Sequence, residues 1–270
     1  MTSYRRACPA DSLRPGAEGA LIRLFDAKTR RCPSIEAAPV LRGIDAFGDL
    51  PSSAIDALTR AIRIDDFERE EMVYRMGEPI DSLCIVACGR LLISCFSPAG
   101  RTMLRLVGRN GVFGEVLVDP RLRGRCQVQA HADTRLCRIP ETVYMKLCAA
   151  EPELAIALAR IATQRWVEAQ QDLEDAMFLN ARQRVLKLLS RLQADSESER
   201  WAAQSPLLEF SQDEVARMIG VTRERVNLIL RDLEASGVIR IRIRALRVDS
   251  ERLARAMLDD GLQDEREAMP

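Results

Sequence analysis

The segment from Ser211 to Gly237, SQDEVARMIGVTRERVNLILRDLEASG, places the tightest limit on what this chain folds into. Ser211 followed three residues later by Glu214 is a capping-box start, because the hydroxyl accepts from a free backbone N–H and the carboxylate reaches back to another. Val215, Ala216 and Ile219 then share one helical face. Gly220 supplies the left-handed backbone that ends such a helix. Thr222 starts a second helix, with Val226, Ile229, Leu230 and Leu233 on its inner side. Two helices joined by so tight a turn must cross steeply, and Ala216 is small enough to let them approach. This is helix-turn-helix grammar, in which the second helix suits the major groove of duplex DNA.

Near the start of that second helix, Arg223, Glu224 and Asn227 lie opposite Ile229 and Leu233. Arg bonds a guanine edge, Glu accepts from cytosine and Asn reads adenine. Arg225 and Arg231 point elsewhere and suit phosphates, and Ser211, Gln212 and Thr222 join them as candidate DNA contacts. After Gly237, VIRIRIR alternates apolar and basic residues and Leu246-Arg247-Val248 follows, which predicts a two-stranded wing with an arginine face including Arg242. From Arg223 to Arg247 seven Arg stand against three acids, although the whole chain balances forty basic against forty acidic residues. The basic patch is therefore local. A three-helix unit with exposed arginines also fits a protein-interaction domain, but groove-facing residue types, wing and charge together favour DNA.

The 270 residues predict more than one domain. Residues 1–40 lack periodicity and read as a mobile extension. From Pro51 a helix carries Ile55, Leu58, Ala61 and Ile62 on one face. Apolar or alternating runs at 72–74, 83–87, 91–96, 103–107, 126–130 and 136–139, separated by turn residues, predict a compact antiparallel β sensor domain over 41–150. From Pro152 to Leu179 no Gly or Pro intervenes, and a helix of about 27 residues runs for about 40 Å, more than the β unit covers. Its Leu154, Leu158, Ile161, Ala162, Ala169, Leu173 and Ala176 predict a stripe that meets a second copy, interrupted by Arg165 and Asp172. The helix region spans 151–180, the DNA-binding domain 181–256 and an acidic tail 257–270, so the fold class is α+β. No run approaches the ~20 apolar residues of a membrane span, and the amino terminus has no secretion-signal core; a cytoplasmic protein without a membrane partner is expected. With no nucleophile–base pair, phosphate-cradling glycine loop or metal-ligand motif, neither an enzyme nor a metal site is expected.

Phe47-Gly-Asp-Leu-Pro, MGEPIDSLCIVACGR at 76–90, NGVFGE at 110–115, the long helix, TRERVNLIL at 222–230 and LEASGVI at 233–239 resemble the family of the cAMP receptor protein and FNR, dimeric bacterial transcription regulators. The resemblance spans residues 44–254. It implies a cyclic-nucleotide-binding-type β-roll (a jelly roll), a dimerisation helix and a winged helix-turn-helix that binds a palindromic promoter site, with RNA polymerase as a further partner. Arg223 and Glu224 match the family's base-reading pair, whereas Leu228 replaces an arginine that many members carry. In the family's cyclic-nucleotide binders a Gly-Glu is followed by an Arg-Ser pair that holds the cyclic phosphate. Gly114-Glu115 is present here, but the Arg-Ser positions fall on Gly124-Arg125, and the purine-capping Thr-Ser of the long helix reads Ala169-Gln170. An unpartnered buried phosphate is costly, which argues against cAMP, with Arg123 and Arg125 as the only substitutes. Gly114, Glu115, Arg123, Arg125, Ala169 and Gln170 outline the candidate effector pocket.

All eight cysteines (Cys8, Cys32, Cys84, Cys88, Cys95, Cys126, Cys137 and Cys148) precede the long helix. In a reducing compartment they read as thiols and not as structural disulfides. Cys84, Cys88, Cys95 and Cys126 are the candidate redox thiols, and most of the eight are expected to be small buried hydrophobes. Cys8 and Cys32 lack the FNR-type cluster spacing, and Cys84 and Cys88, four apart on a strand, sit about 13 Å apart; both argue against an iron–sulfur cluster. His131, the chain's single histidine, lies in a turn and argues against haem. No cofactor is assigned. The expected function is a homodimeric, sequence-specific DNA-binding regulator controlled by a non-cAMP signal or by thiol state. A sensory module acting through protein partners and a cyclic-nucleotide-dependent regulator are the alternatives.

Overall fold

The computed structural model describes residues 37–97, 102–114, 126–198, 207–208, 210–242 and 245–262. Residues 1–36 of the extension, Cys8 and Cys32, the pocket candidates Glu115, Arg123 and Arg125, and residues 263–270 of the tail lie outside the described residues.

Helices α1 (Ala37–Arg42), α2 (Asp45–Gly48) and α3 (Ser52–Ala61) come first. Helix α1 moves the end of the extension back from residue 40. Val40 and Leu41 are buried against Phe47 and Leu58, so packing begins where this short apolar pair does.

Eight strands follow: β1 (Arg63–Phe67), β2 (Met72–Tyr74), β3 (Ser82–Cys88), β4 (Leu91–Phe96), β5 (Thr102–Val107), β6 (Val112–Phe113), β7 (Cys126–Ala130) and β8 (Thr134–Pro140). They form two antiparallel sheets, ordered β1-β8-β3-β6 and β2-β7-β4-β5. Six match runs expected from the sequence. All of β3 is buried, because Cys84 and Val86 face the core between the sheets while Leu83, Ile85 and Ala87 face the helices. A strand covered on both faces loses its period-two signal and reads as one apolar run. Strand β1 gives no such run because it is a polar edge: Asp66 and Asp65 pair with Arg135 and Arg138 of β8 at 2.6 and 3.0 Å. Arg138 also donates to the Tyr74 hydroxyl at 2.7 Å. Burial, with Cys84 alongside, holds that phenol neutral well above its ordinary range.

Cys95 and Cys126 are register partners on β4 and β7 and form a disulfide. The expectation of separate thiols is corrected at this pair, because the fold sets two residues 31 apart in sequence directly opposite one another. Cys84, Cys88 and Cys137 lie outside this disulfide and are buried. Burial pushes the Cys84 thiol up to about 12, and both Cys84 and Cys88 lie inside the core of the roll.

Helix α4 (Glu141–Ala150) leads into α5 (Pro152–Phe178), with Pro152 at the first helical turn. The Tyr144 hydroxyl joins the two by donating to the Leu154 carbonyl at 2.9 Å. Leu154, Ala157, Leu158 and Ile161 are buried against the roll. Leu154, Leu158 and Ile161 of the expected inter-copy stripe thus face the chain's own core, while its other members, Ala162, Ala169, Leu173 and Ala176, are exposed.

The carboxy-terminal unit comprises α6 (Ala181–Ser198), β9 (Leu207–Leu208), α7 (Gln212–Ile219), α8 (Arg223–Ala235), β10 (Ile239–Arg242), β11 (Ala245–Val248) and α9 (Ser250–Asp259). Val185, Leu189, Val215, Val226, Leu230, Leu233 and Leu253 are among the residues of its core. The wing has three strands, ordered β10-β11-β9, not two, since a two-residue strand leaves no periodic trace in sequence. The tail starts later than residue 257, because Met257 is buried in that core from the last turns of α9. Among the described residues no helix is long and apolar enough to cross a membrane.

Candidate nucleic-acid interface and its seat on the roll

Both halves of the capping box form. Glu214 N–H donates to Ser211 Oγ at 3.2 Å and Ser211 N–H donates to Glu214 Oε2 at 2.7 Å. Gly220 ends α7 at φ +69°, where a side chain would be strained. The Thr222 hydroxyl accepts from Arg225 N–H at 3.3 Å to start α8. With both ends fixed, α8 buries Val226, Ile229, Leu230 and Leu233 and leaves Arg223, Glu224, Arg225, Leu228 and Arg231 exposed. Asn227 is half-buried, and its Oδ1 accepts from Gln212 Nε2 at 3.3 Å, so the two helices orient each other's amides. On the wing, Arg240 and Arg247 are exposed register partners. Glu234 Oε1 accepts from Ile241 N–H at 3.0 Å and ties β10 to α8; Arg242 closes the strand opposite Ala245. Arg223, Glu224, Arg225 and Arg231 are thus exposed on one capped helix, beside a wing that carries exposed Arg240 and Arg247, side-chain types that suit base edges and phosphates.

The break between α5 and α6 falls at Leu179 and Asn180. Asn180 caps α6 by accepting from Arg182 and Gln183 N–H at 2.9 and 3.0 Å. Asp175 of α5 accepts from Lys187 at 2.8 Å and Asp172 from Arg191 at 2.7 Å, strapping α6 back onto α5. Arg182 pairs with Asp232 and, at 3.1 Å, with Asp260. Helix α6, which shares an apolar core with α8, is thereby tied to the long helix by ion pairs.

Sequence reading missed the role of His131. Its side chain is only 9% exposed, its ring stacks on Phe210 with centroids 4.7 Å apart, and Nε2 lies 3.6 Å from Glu214 Oε1. Leu106 of β5 packs on the same carboxy-terminal core. The outer face of the β2-β7-β4-β5 sheet is therefore the seat of α7. Glu214 serves two purposes at this junction, capping α7 and facing His131. Burial pushes its carboxyl up, but the neighbouring His131 and the hydrogen bonds from Ser211 outweigh that and hold it at about 2. An unfolded glutamate titrates near ~4.3. The ionised form therefore stabilises the fold above that pH, and the contribution is lost as pH falls from there towards 2. In calorimetry across pH 2–5, Glu214→Gln is expected to remove about 1–2 kcal/mol of the acid-induced loss; identical pH profiles would contradict this coupling.

Of the candidate effector residues, Gly114 lies at the end of β6 with φ +89°, and a side chain there would strike the Ser82 carbonyl. Ala169 and Gln170 lie on the exposed side of α5. The helix residue that reaches this strand is Arg165, whose Nη2 donates to the Val112 carbonyl at 2.8 Å while Nη1 donates to Glu168 at 2.6 Å. A cation interrupting the apolar pattern of α5 was the sequence signal for this contact.

Residues 64–151 match the family model of the cyclic nucleotide-binding domain, and residues 183–258 match that of the Crp-like helix-turn-helix domain. The chain is 31% identical to a CRP-like cAMP-activated global transcriptional regulator of Mycobacterium tuberculosis over 219 residues, 80% of this chain and 97% of that one. It is 27% identical to a cyclic AMP receptor protein of Thermus thermophilus, over 74% of this chain and 90% of that one. The fold matches the c-di-GMP responsive regulator CLP of Xanthomonas campestris at a TM-score of 0.61, with 20% identity over 73% of this chain and 99% of that one. It also matches FixK2 of Bradyrhizobium japonicum at 0.59, with 18% identity over 72% and 96%. With both domain models in order along one chain and a relative aligned over nearly its whole length, the chain belongs to the CRP/FNR family of DNA-binding transcription regulators.

Proposed function

We propose that this protein acts in the cytoplasm as a homodimer that binds a two-fold symmetric promoter site, and that its β-roll senses a signal other than cAMP. The observation that carries the reading is the capped helix α8 with Arg223, Glu224 and Arg225 exposed together at its amino-terminal end. Ser211, Gln212, Thr222, Arg231 and Arg242 complete the contact set, with Asn227 turned by Gln212. Dimerisation through α5 is supported by its outer side. Ile156, Ala159, Thr163, Trp166, Gln170, Leu173 and Met177 are all exposed and follow alternating three- and four-residue steps, the heptad spacing of a two-helix seam. The RNA polymerase bound at the same promoter is the natural protein partner, and no catalytic role is assigned.

The relative activated by cAMP keeps that ligand in view as a second reading. Against it stand Ala169 and Gln170 where purine-capping hydroxyls are expected, and Gly124-Arg125 in place of Arg-Ser. Calorimetric titration with cAMP is expected to give no binding heat.

Selection from a random duplex library at moderate salt tests the main reading. A palindromic motif bound with Kd of about 10⁻⁸ M or tighter is expected, with affinity falling steeply as salt rises. Retention of duplexes without sequence preference would overturn it.

A further inference from the structure

The sheet that seats the DNA-binding unit also carries the disulfide. Cys95 and Cys126 face each other across β4 and β7 with Cα atoms 4.6 Å apart, the separation of a non-hydrogen-bonded antiparallel pair, where side chains stand closest. From there the ladder runs through Ile93↔Val128 to Leu91↔Ala130, and His131 N–H continues it by donating to the Arg90 carbonyl at 2.9 Å. Strand β7 therefore has the disulfide at its first residue and, immediately after its last, the ring that stacks on Phe210. On the next strand pair Leu92 faces Leu106, and Leu106 packs on the DNA-binding core. One short ladder joins the sulfur pair to both contacts that seat α7.

We propose that Cys95 and Cys126 are a reversible dithiol–disulfide site, and that the state of this pair sets how firmly the DNA-binding unit is seated on the roll. The proposal rests on the DNA-binding reading above and adds the class of signal: a peroxide or a small-molecule disulfide. Both cysteines are half-buried at the rim of the inter-sheet core, within reach of a small reagent. Cys84, Cys88 and Cys137 are buried, and burial raises the Cys84 and Cys137 thiols above their ordinary range. Strand β4 is hydrogen-bonded along both edges, to β5 and to β7, so the sheet survives reduction while its clasp is lost. A regulator that works on DNA sits among reducing thiol pools, where protein disulfides form transiently.

The chemistry balances with hydrogen peroxide. One thiolate attacks a peroxide oxygen, forming an S–O bond as the O–O bond breaks, and the departing hydroxide is protonated to water. The second thiolate attacks that sulfur, the S–S bond forms, and a second hydroxide leaves and is protonated to water. Two electrons pass from the cysteines to the peroxide. Two equivalents of a small thiol reverse the change through a mixed disulfide and depart as the small-molecule disulfide.

The test equilibrates the full chain in glutathione buffers of graded thiol-to-disulfide ratio, with parallel peroxide treatment. Alkylation and mass spectrometry then follow the peptides carrying Cys95 and Cys126, and hydrogen exchange follows β7 and residues 210–214. The pair is expected to change state within the glutathione range. Reduction is expected to speed exchange at both segments and to change affinity for the selected duplex by about 5–150-fold, the usual span of coupling between sites. Cys95→Ser and Cys126→Ser are expected to match reduced wild type and to ignore oxidant. A pair that stays in one state throughout, or that changes state while exchange at 210–214 does not, overturns the proposal. A pair that responds and alters exchange in a protein that binds no DNA in either state supports the redox site and overturns the DNA-binding reading instead.

Discussion

Replacing Arg223 with alanine is expected to cost about 1–3 kcal/mol at each half-site, the range for a bidentate contact to a base edge. Because a dimer carries two such helices, the loss on a full palindrome is expected to be roughly twice that. Arg223 is the first residue of α8 and is exposed, with the core contacts made by Val226 and its successors. Thermal stability is therefore expected to move by no more than ~0.5 kcal/mol. The informative readout is the pattern of loss across sequences. A base-reading arginine relaxes preference at one position of each half-site, whereas Arg225→Ala is expected to weaken all duplexes alike and flatten the salt dependence. Uniform weakening by Arg223→Ala would reassign that residue to the phosphates, and no weakening would remove α8 from the interface.

The second large effect is expected on α5. Leu173 and Met177 are 60% and 69% exposed, one turn apart and clear of the roll-facing Leu154, Leu158 and Ile161. Substituting both with glutamate places charge in the proposed seam while leaving the protomer's own core untouched. The double variant is expected to sediment as a monomer and to retain its fold. Its affinity for the full palindrome is expected to fall by about 10²–10⁴-fold, the advantage that joining two half-sites confers. A variant that stays dimeric would place the contact between copies elsewhere. Leu158→Ala provides the contrast: this residue is buried against the roll, so the expected result is a loss of about 2–5 kcal/mol of stability without a change in oligomeric state.

These two experiments bear on features that were unequally visible in the amino-acid order. The reading helix was legible because every device that makes it is local. Ser211 and Glu214, Gly220, and Thr222 with Arg225 act over three or four residues, and a capping hydroxyl needs nothing beyond its own turn. Strand β3 was legible as a run because covering both faces demands apolar residues throughout. Strand β1 was not, since an edge held by Asp65 and Asp66 looks like a loop until Arg135 and Arg138 are set beside it. Arg165 and Asp172 looked like faults in a dimer stripe. In the structure they are contacts, one to the Val112 carbonyl and the other to Arg191.

Local chemistry thus determined, from sequence alone, two capped helices with arginines at the head of the second, a β domain before them and a long helix between. Those signals repeat within a turn of helix or along a strand, so they survive without knowledge of neighbours. Register between distant strands and the side of α5 that meets the roll were decided only by tertiary packing, as was the seating of α7 on the β2-β7-β4-β5 sheet. Cys95 meets Cys126 across 31 residues and His131 meets Glu214 between the two domains. Their partners are chosen by how sheets and helices bury their apolar faces together, which no short stretch of chain encodes.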